Sequence, residues 1–257
     1  MAEPKNIMNT RNLIPRLLLV ALFVVAIFEL SGRAGGQSKP APVATRVASA
    51  PASANLRVLD EMDKAAANFR SAEANFVWEQ YQKVVDETDT QKGKIYFRRS
   101  GNGVEMATDI VEPEKKYVLY ADSKVEIYQP KIDQVTVYNA GKNKAEFESF
   151  IVLGFGGSGH NLLKQFEVKY EGMEKVNDVD TAKLDLTPKS QKVRNTFQHI
   201  LLWIDPARGV SVQQQFFEPS GDYRLAKYSD IQINAKIPDT VFKLKTTGKT
   251  KTVSPQG

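Results

Sequence analysis

Cysteine is absent from the 257 residues. That excludes disulfides, thiolate catalysis, Cys-type zinc sites, iron–sulfur ligation and lipid attachment through a thiol of this chain. Histidine is nearly as scarce, with only His160 and His199, so a His-rich metal site is not expected. A one-signed charge is missing from most of the chain as well. Residues 1–55 hold six Lys/Arg against two Glu, whereas the remainder holds 29 Lys/Arg against 28 acidic residues. The net charge of +5 therefore sits mostly in the N-terminal fifth, and no nucleic-acid footprint is expected. The run Leu17 to Phe28 is twelve apolar residues long, well short of the ~20 needed to span a bilayer.

Twelve does fit the apolar core of an export signal, and Lys5, Arg11 and Arg16 precede it. Residues 1–30 are accordingly read as a signal peptide or, if uncleaved, an N-terminal anchor. Either way the rest of the chain is expected outside the cytoplasmic membrane. Eighteen of the 24 residues in 31–54 are Ala, Gly, Pro, Ser or Thr, a composition expected to form a flexible tether. The folded unit is expected over 55–247, followed by a disordered tail over 248–257.

Asn55 is a fit N-cap, and Leu56, Leu59, Met62, Ala66 and Phe69 recur at helical spacing, predicting an amphipathic helix to about 69. Phe76 and Trp78 open a first strand running to about 85. Short strands are predicted over 93–99, 104–111, 116–121, 124–129 and 134–139, separated by turn-rich punctuation. Residues 144–153 and 161–165 read as helical, flanking a glycine-rich stretch at 154–159. Strands resume from 166 to 245, with four in succession over 184–234 that carry large apolar residues on both faces. Such spacing predicts a mainly β fold, an antiparallel barrel or strongly curled sheet, with the helical insertion over one mouth.

Several chemistry-like patterns dissolve in context. Gly154, Gly156 and Gly159 match G-x-G-x-x-G, but a dinucleotide fingerprint needs a parallel βαβ unit, and the pattern here is antiparallel. A hinge between two lid helices is the preferred reading. Ser158 lacks the second flanking glycine of a nucleophile elbow, since position 160 is His. His199 reads as a sheet residue, Asp178 and Asp180 as turn residues, and Trp203 as core. Nothing forms an acid/base pair or a metal cluster, so binding is expected in preference to catalysis, with no enzyme activity and no cofactor.

An ordered series of motifs resembles the periplasmic outer-membrane lipoprotein carriers, the LolA-like family, over about 56–247. A helix precedes Ala74-Asn75-Phe76, and Gly93 to Arg99 is similar to the family's G-x-φ-x-φ-[KR]-R strand. Glu112-Pro113, Tyr117 to Lys124 and Ile127 to Pro130 are similar to its P…S-D-G-K-x-φ-φ-x-Y-x-P block. Gln134 to Val137, Leu184 to Lys189 and Phe217 to Tyr223 follow in order, then Ile237-Pro238-Asp239 and Phe242. Glu105-Met106, the Gly-rich loop and the long tether depart from the family pattern.

The resemblance implies an incomplete, strongly curled antiparallel β-barrel closed by a helical lid around a hydrophobic cavity for acyl chains. Arg99 matches the family arginine that hydrogen-bonds the lid and holds it closed. Strand alternation puts Ile95 and Phe97 on one face, and Phe76 with Trp78 on another. These, with Met106, are expected to line the cavity, and Phe150, Leu153 and Phe155 to supply the lid. The plainer alternative is that the strand residues simply pack on one another. Expected partners are acylated lipoprotein cargo, an inner-membrane releasing transporter and an outer-membrane acceptor, with the carrier itself a monomer. A membrane-tethered lipid-sensing envelope regulator, or a carrier of a different lipid, are the alternatives on the same fold.

Overall fold

The structure, a computed structural model, describes residues 50–101, 103–139, 148 and 150–255. The expected signal segment, the tether up to 49 and residues 144–147 and 149 of the expected lid helix lie outside the described residues. Helix α1 spans Ala50–Asn68 and so begins five residues before the expected N-cap Asn55. Residues 50–54 are therefore helix rather than tether. Alanine has the highest helix propensity, and Pro51 sits in the first turn, where its missing N–H is no loss. Leu59, Met62, Ala66 and Phe69 are buried as the spacing predicts, but Leu56 is exposed and Val58 takes its place in the core.

A single twelve-stranded, unclosed and curled sheet makes up most of the molecule. Strands β1 (Ser71–Gln82), β2 (Glu87–Ser100), β3 (Gly103–Glu112), β4 (Lys116–Ala121), β5 (Lys124–Gln129) and β6 (Gln134–Asn139) form one antiparallel meander. Strands β7 (Phe166–Val176), β8 (Val179–Pro188), β9 (His199–Asp205), β10 (Val210–Phe217) and β11 (Tyr223–Ile233) form a second. Pairing of β11 with β1, from Ala72↔Ile233 to Tyr81↔Tyr223, fuses the two. The lid segment, with helix α2 (Gly159–Gln165), lies in the connection between them, and a single-turn α3 (Gln191–Arg194) joins β8 to β9.

β1 and β2 are each longer than expected because the first begins on Ala72 and Ala74, buried but small, and the second on a polar, exposed arm. Register shifts fall in β1, β2, β7 and β10, irregularities of the kind that let a sheet curl. Gly93 sits beside the shift in β2, where a Cβ would lie 2.1 Å from the Asp109 carbonyl oxygen. The concave face packs with α1 and the lid into the main core.

Part of the convex face is covered by the chain after β11. Phe242 packs with Leu119 and Ala107, and Arg98 lies 4.0 Å from the Phe242 ring centre while ion-pairing with Glu105 and Asp239. The tail expected to be disordered instead carries β12 (Lys251–Val253), paired parallel to β6. Asp133 holds it there, accepting hydrogen bonds from Thr247, Thr250 and Tyr128. Among the described residues no helix is long and apolar enough to cross a membrane.

Candidate functional site

The concave face encloses an almost wholly apolar cavity, and every residue assigned to it from the sequence is there. Phe76, Trp78, Ile95, Phe97 and Met106 line its walls. Register explains the clustering: Ile95 and Phe97 sit opposite Thr108 and Met106 on β3, and Phe76 and Trp78 opposite Tyr228 and Ala226 on β11. Phe150, Leu153 and Phe155 reach in from the lid and are buried. Phe155 stacks on Phe97 at 5.0 Å and meets Tyr228 edge-on at 4.9 Å. The lid so nearly fills the barrel that the remaining hollow is about 80 Å³. Pockets that hold organic ligands run to ~300–1,000 Å³, so with the lid in place this hollow is smaller than such a site. A second hollow of about 310 Å³ lies between the lid and α1, and Leu153 lines both.

Five elements hold the lid down. From β4, Tyr120 donates to Glu148 Oε1 at 3.0 Å. From β10, Gln214 Nε2 donates to the Leu153 carbonyl, and the Ser211 backbone N–H donates to the Gly154 carbonyl at 2.8 Å. A register shift falls between Ser211 and Gln213, beside that N–H, and the pairing of β10 with β11 begins only at Gln213. The β11 residue Tyr228 extends the chain by donating to Gln214 Oε1 at 3.3 Å, and burial pushes its phenol far above the usual range.

Arg99, at the end of β2, donates to the carbonyls of Ala66 and Phe69 at 2.9 Å each and to that of Gly156 at 3.4 Å. Two of its three bonds thus cap the C-terminal end of α1, where free carbonyls and the helix dipole favour a cation. Only the third reaches the lid. From α1, Asp63 accepts from Ser158 Oγ at 2.5 Å and from the His160 backbone N–H at 3.2 Å, and contacts His160 Nδ1. Partial burial pushes the Asp63 carboxyl up, but the hydrogen bonds from Ser158 and His160 together outweigh it and hold it below the usual carboxylate range.

The three glycines of the nucleotide-like pattern serve contact rather than phosphate. A Cβ at Gly154 would lie 2.4 Å from Ser211 Cβ, one at Gly156 2.4 Å from the Phe69 ring, and one at Gly159 2.3 Å from the Leu59 carbonyl oxygen. Asp60, Asp63 and His160 bring their ligand atoms within 4.8 Å of one another, but Asp63 is already engaged in fastening α2.

A model of the family described as outer membrane lipoprotein carrier protein LolA matches residues 67–245. The chain belongs to the LolA family. No curated protein matches it. Among solved structures, an uncharacterized conserved protein from Thermus thermophilus aligns at 12% identity over 78% of this chain and 99% of its own, with a TM-score of 0.50. The Pseudomonas aeruginosa MucA/MucB complex aligns at 13% identity over 74% of this chain, spanning 61% of that chain, with a TM-score of 0.47. LprF from Mycobacterium bovis aligns at 12% identity over 73% of this chain and 97% of its own, with a TM-score of 0.45. Likeness at such identities is one of fold.

The LolA match runs from the last turn of α1 past the end of β11, and so takes in the cavity wall and the lid connection. Sequence reasoning missed the β10 and β11 side of that wall: Gln214, Phe216, Arg224, Ala226 and Tyr228. The signal was present, since 224, 226 and 228 alternate on one strand face as do 214 and 216. Charged Arg224 and polar Gln214 disguised it as a solvent face.

Proposed function

We propose that this LolA-family protein is a periplasmic carrier that shelters acyl chains of lipoproteins in the barrel and moves them from the inner to the outer membrane. The observation that carries the reading is the lid acting as the barrel's own occupant: Phe150, Ile151, Leu153 and Phe155 fill the space hydrocarbon would take. Burying four such side chains is worth about 6–12 kcal/mol at ~1.5–3 kcal/mol each, the same as about 8–15 methylenes at ~0.8 kcal/mol each. One acyl chain and the lid are therefore near-equal competitors for the cavity. Loading displaces the lid, and the lid's return favours release, so the carrier neither traps its cargo nor sheds it into water.

Leu153, the partition between the two hollows, is the natural first element to move. Arg99 rewards closure through Gly156. The donor is a releasing transporter of the inner membrane and the acceptor a receptor of the outer membrane; the carrier acts as a monomer and requires no cofactor. Mass spectrometry of lipids and acylated protein that co-purify with the exported chain tests the proposal. Co-purified acylated protein is the expected result, and free glycolipid in its place would make this a carrier of another lipid. N-terminal sequencing of the same material divides the carrier, with a new N terminus, from a tethered sensor that keeps its anchor.

A further inference from the structure

The cavity is apolar except for a few groups, and two of those carry polar atoms with no hydrogen-bond partner. Arg224 is 4% exposed, and its Nε and Nη1 have no hydrogen-bond acceptor. Thr108 Oγ1, across the same cavity, is also buried and unpartnered. Nη2 of Arg224 is 2.7 Å from Glu218 Oε1, and its guanidinium carbon lies 5.6 Å from the Phe197 ring centre. A buried donor without an acceptor costs more than most single contacts contribute, and native cavities keep few of them. An occupant bringing an acceptor oxygen removes that cost; a bare hydrocarbon does not.

We propose that Arg224 is the polar anchor of this cavity and that it donates to the neutral carbonyl of an acyl ester or amide in preference to a carboxylate. The charge balance decides between the two. Glu218 already neutralises the guanidinium. Asp222, whose carbonyl accepts from the Glu218 N–H, adds a second negative charge at this end, offset by Lys83 packed against Gly221. Lys116 borders a separate hollow behind Trp78 and does not line the cavity. A carboxylate would thus bring uncompensated negative charge beside Glu218 in a low-dielectric space, whereas a carbonyl accepts the free N–H groups and adds none.

This inference rests on the cavity being a binding site for acyl chains. Its test partitions methyl laurate, laurate and dodecane from a common cyclodextrin donor into the full-length protein. Wild type is expected to take methyl laurate about tenfold or more tightly than either of the others. Arg224→Met should erase that margin, bringing methyl laurate and dodecane to about equal binding. Glu218→Gln, which leaves the cation unbalanced, should turn the preference toward laurate. Equal binding of ester and alkane, or an ester preference that survives Arg224→Met, overturns the anchor while leaving the carrier intact. Should Arg224→Met not fold, the wild-type ranking and the Glu218→Gln reversal decide by themselves. Failure of all three probes to bind overturns the carrier reading, and the anchor with it.

Discussion

Arg99 joins two tasks in one side chain, capping α1 through Ala66 and Phe69 and touching the lid through Gly156. The sequence resemblance carried the second task but not the first, because a cap on a helix ending thirty residues away leaves no local pattern. Arg99→Leu should therefore do two separable things. It strands the α1 carbonyls, costing about 1–3 kcal/mol, seen as a lower Tm. It also weakens closure, so that a transfer assay should show normal loading but slow delivery. Unchanged delivery at reduced Tm would reduce Arg99 to a helix cap. Gly156 is the companion case, with φ of +75° and the Phe69 ring where a Cβ would go. Gly156→Ala should cost about 3 kcal/mol from backbone and clash together. Gly101→Ala, with φ of +55° and open space, should cost only about 1 kcal/mol, so equal melting points for the two would contradict the tight approach of lid to α1.

At the scale of elements, α1 and α2 meet through Asp63, which binds both the N-cap Ser158 and His160. Because the folded protein holds the Asp63 carboxyl below its usual range, its contribution is complete above the unfolded carboxylate pKa and fades as pH falls through the lower folded value. The attachment of α2 should thus survive mild acid and loosen below about pH 4. Hydrogen-exchange protection at 159–162 measures it: wild type should lose protection in that window, whereas Asp63→Asn should start lower and change little on acidification. A parallel pH profile in both would exclude Asp63 as the fastener. Most strands were legible because Val, Ile, Phe and Tyr alternate between turn signals, as in β4 to β6. The start of β1 was not, since Ala72 and Ala74 are buried without looking so. Nor was β12, three exposed residues placed by the Asp133 contacts rather than by any periodicity of their own.

The molecule as a whole is a sheet wrapped around a segment of its own chain, and on the proposed reading that arrangement separates stability from binding. Phe97 and Phe76 belong to the wall, so on the carrier reading proposed above their loss would remove packing for lid and cargo alike. Phe155 belongs to the lid alone, buried at 1% exposure against Phe97 and Tyr228. If the lid competes with cargo, the two properties must move in opposite directions when it is trimmed. Phe155→Ala should destabilise the empty protein by about 3–5 kcal/mol, since the barrel wall cannot collapse to refill the space. It should at the same time raise affinity for an acyl probe, because the probe inherits the vacated contacts against a weaker rival. Thermal melts with and without methyl laurate read both at once, the ligand-induced rise in Tm being larger in the variant than in wild type. A variant that loses stability and affinity together would make Phe155 part of the wall, and loading would then have to proceed without displacing it.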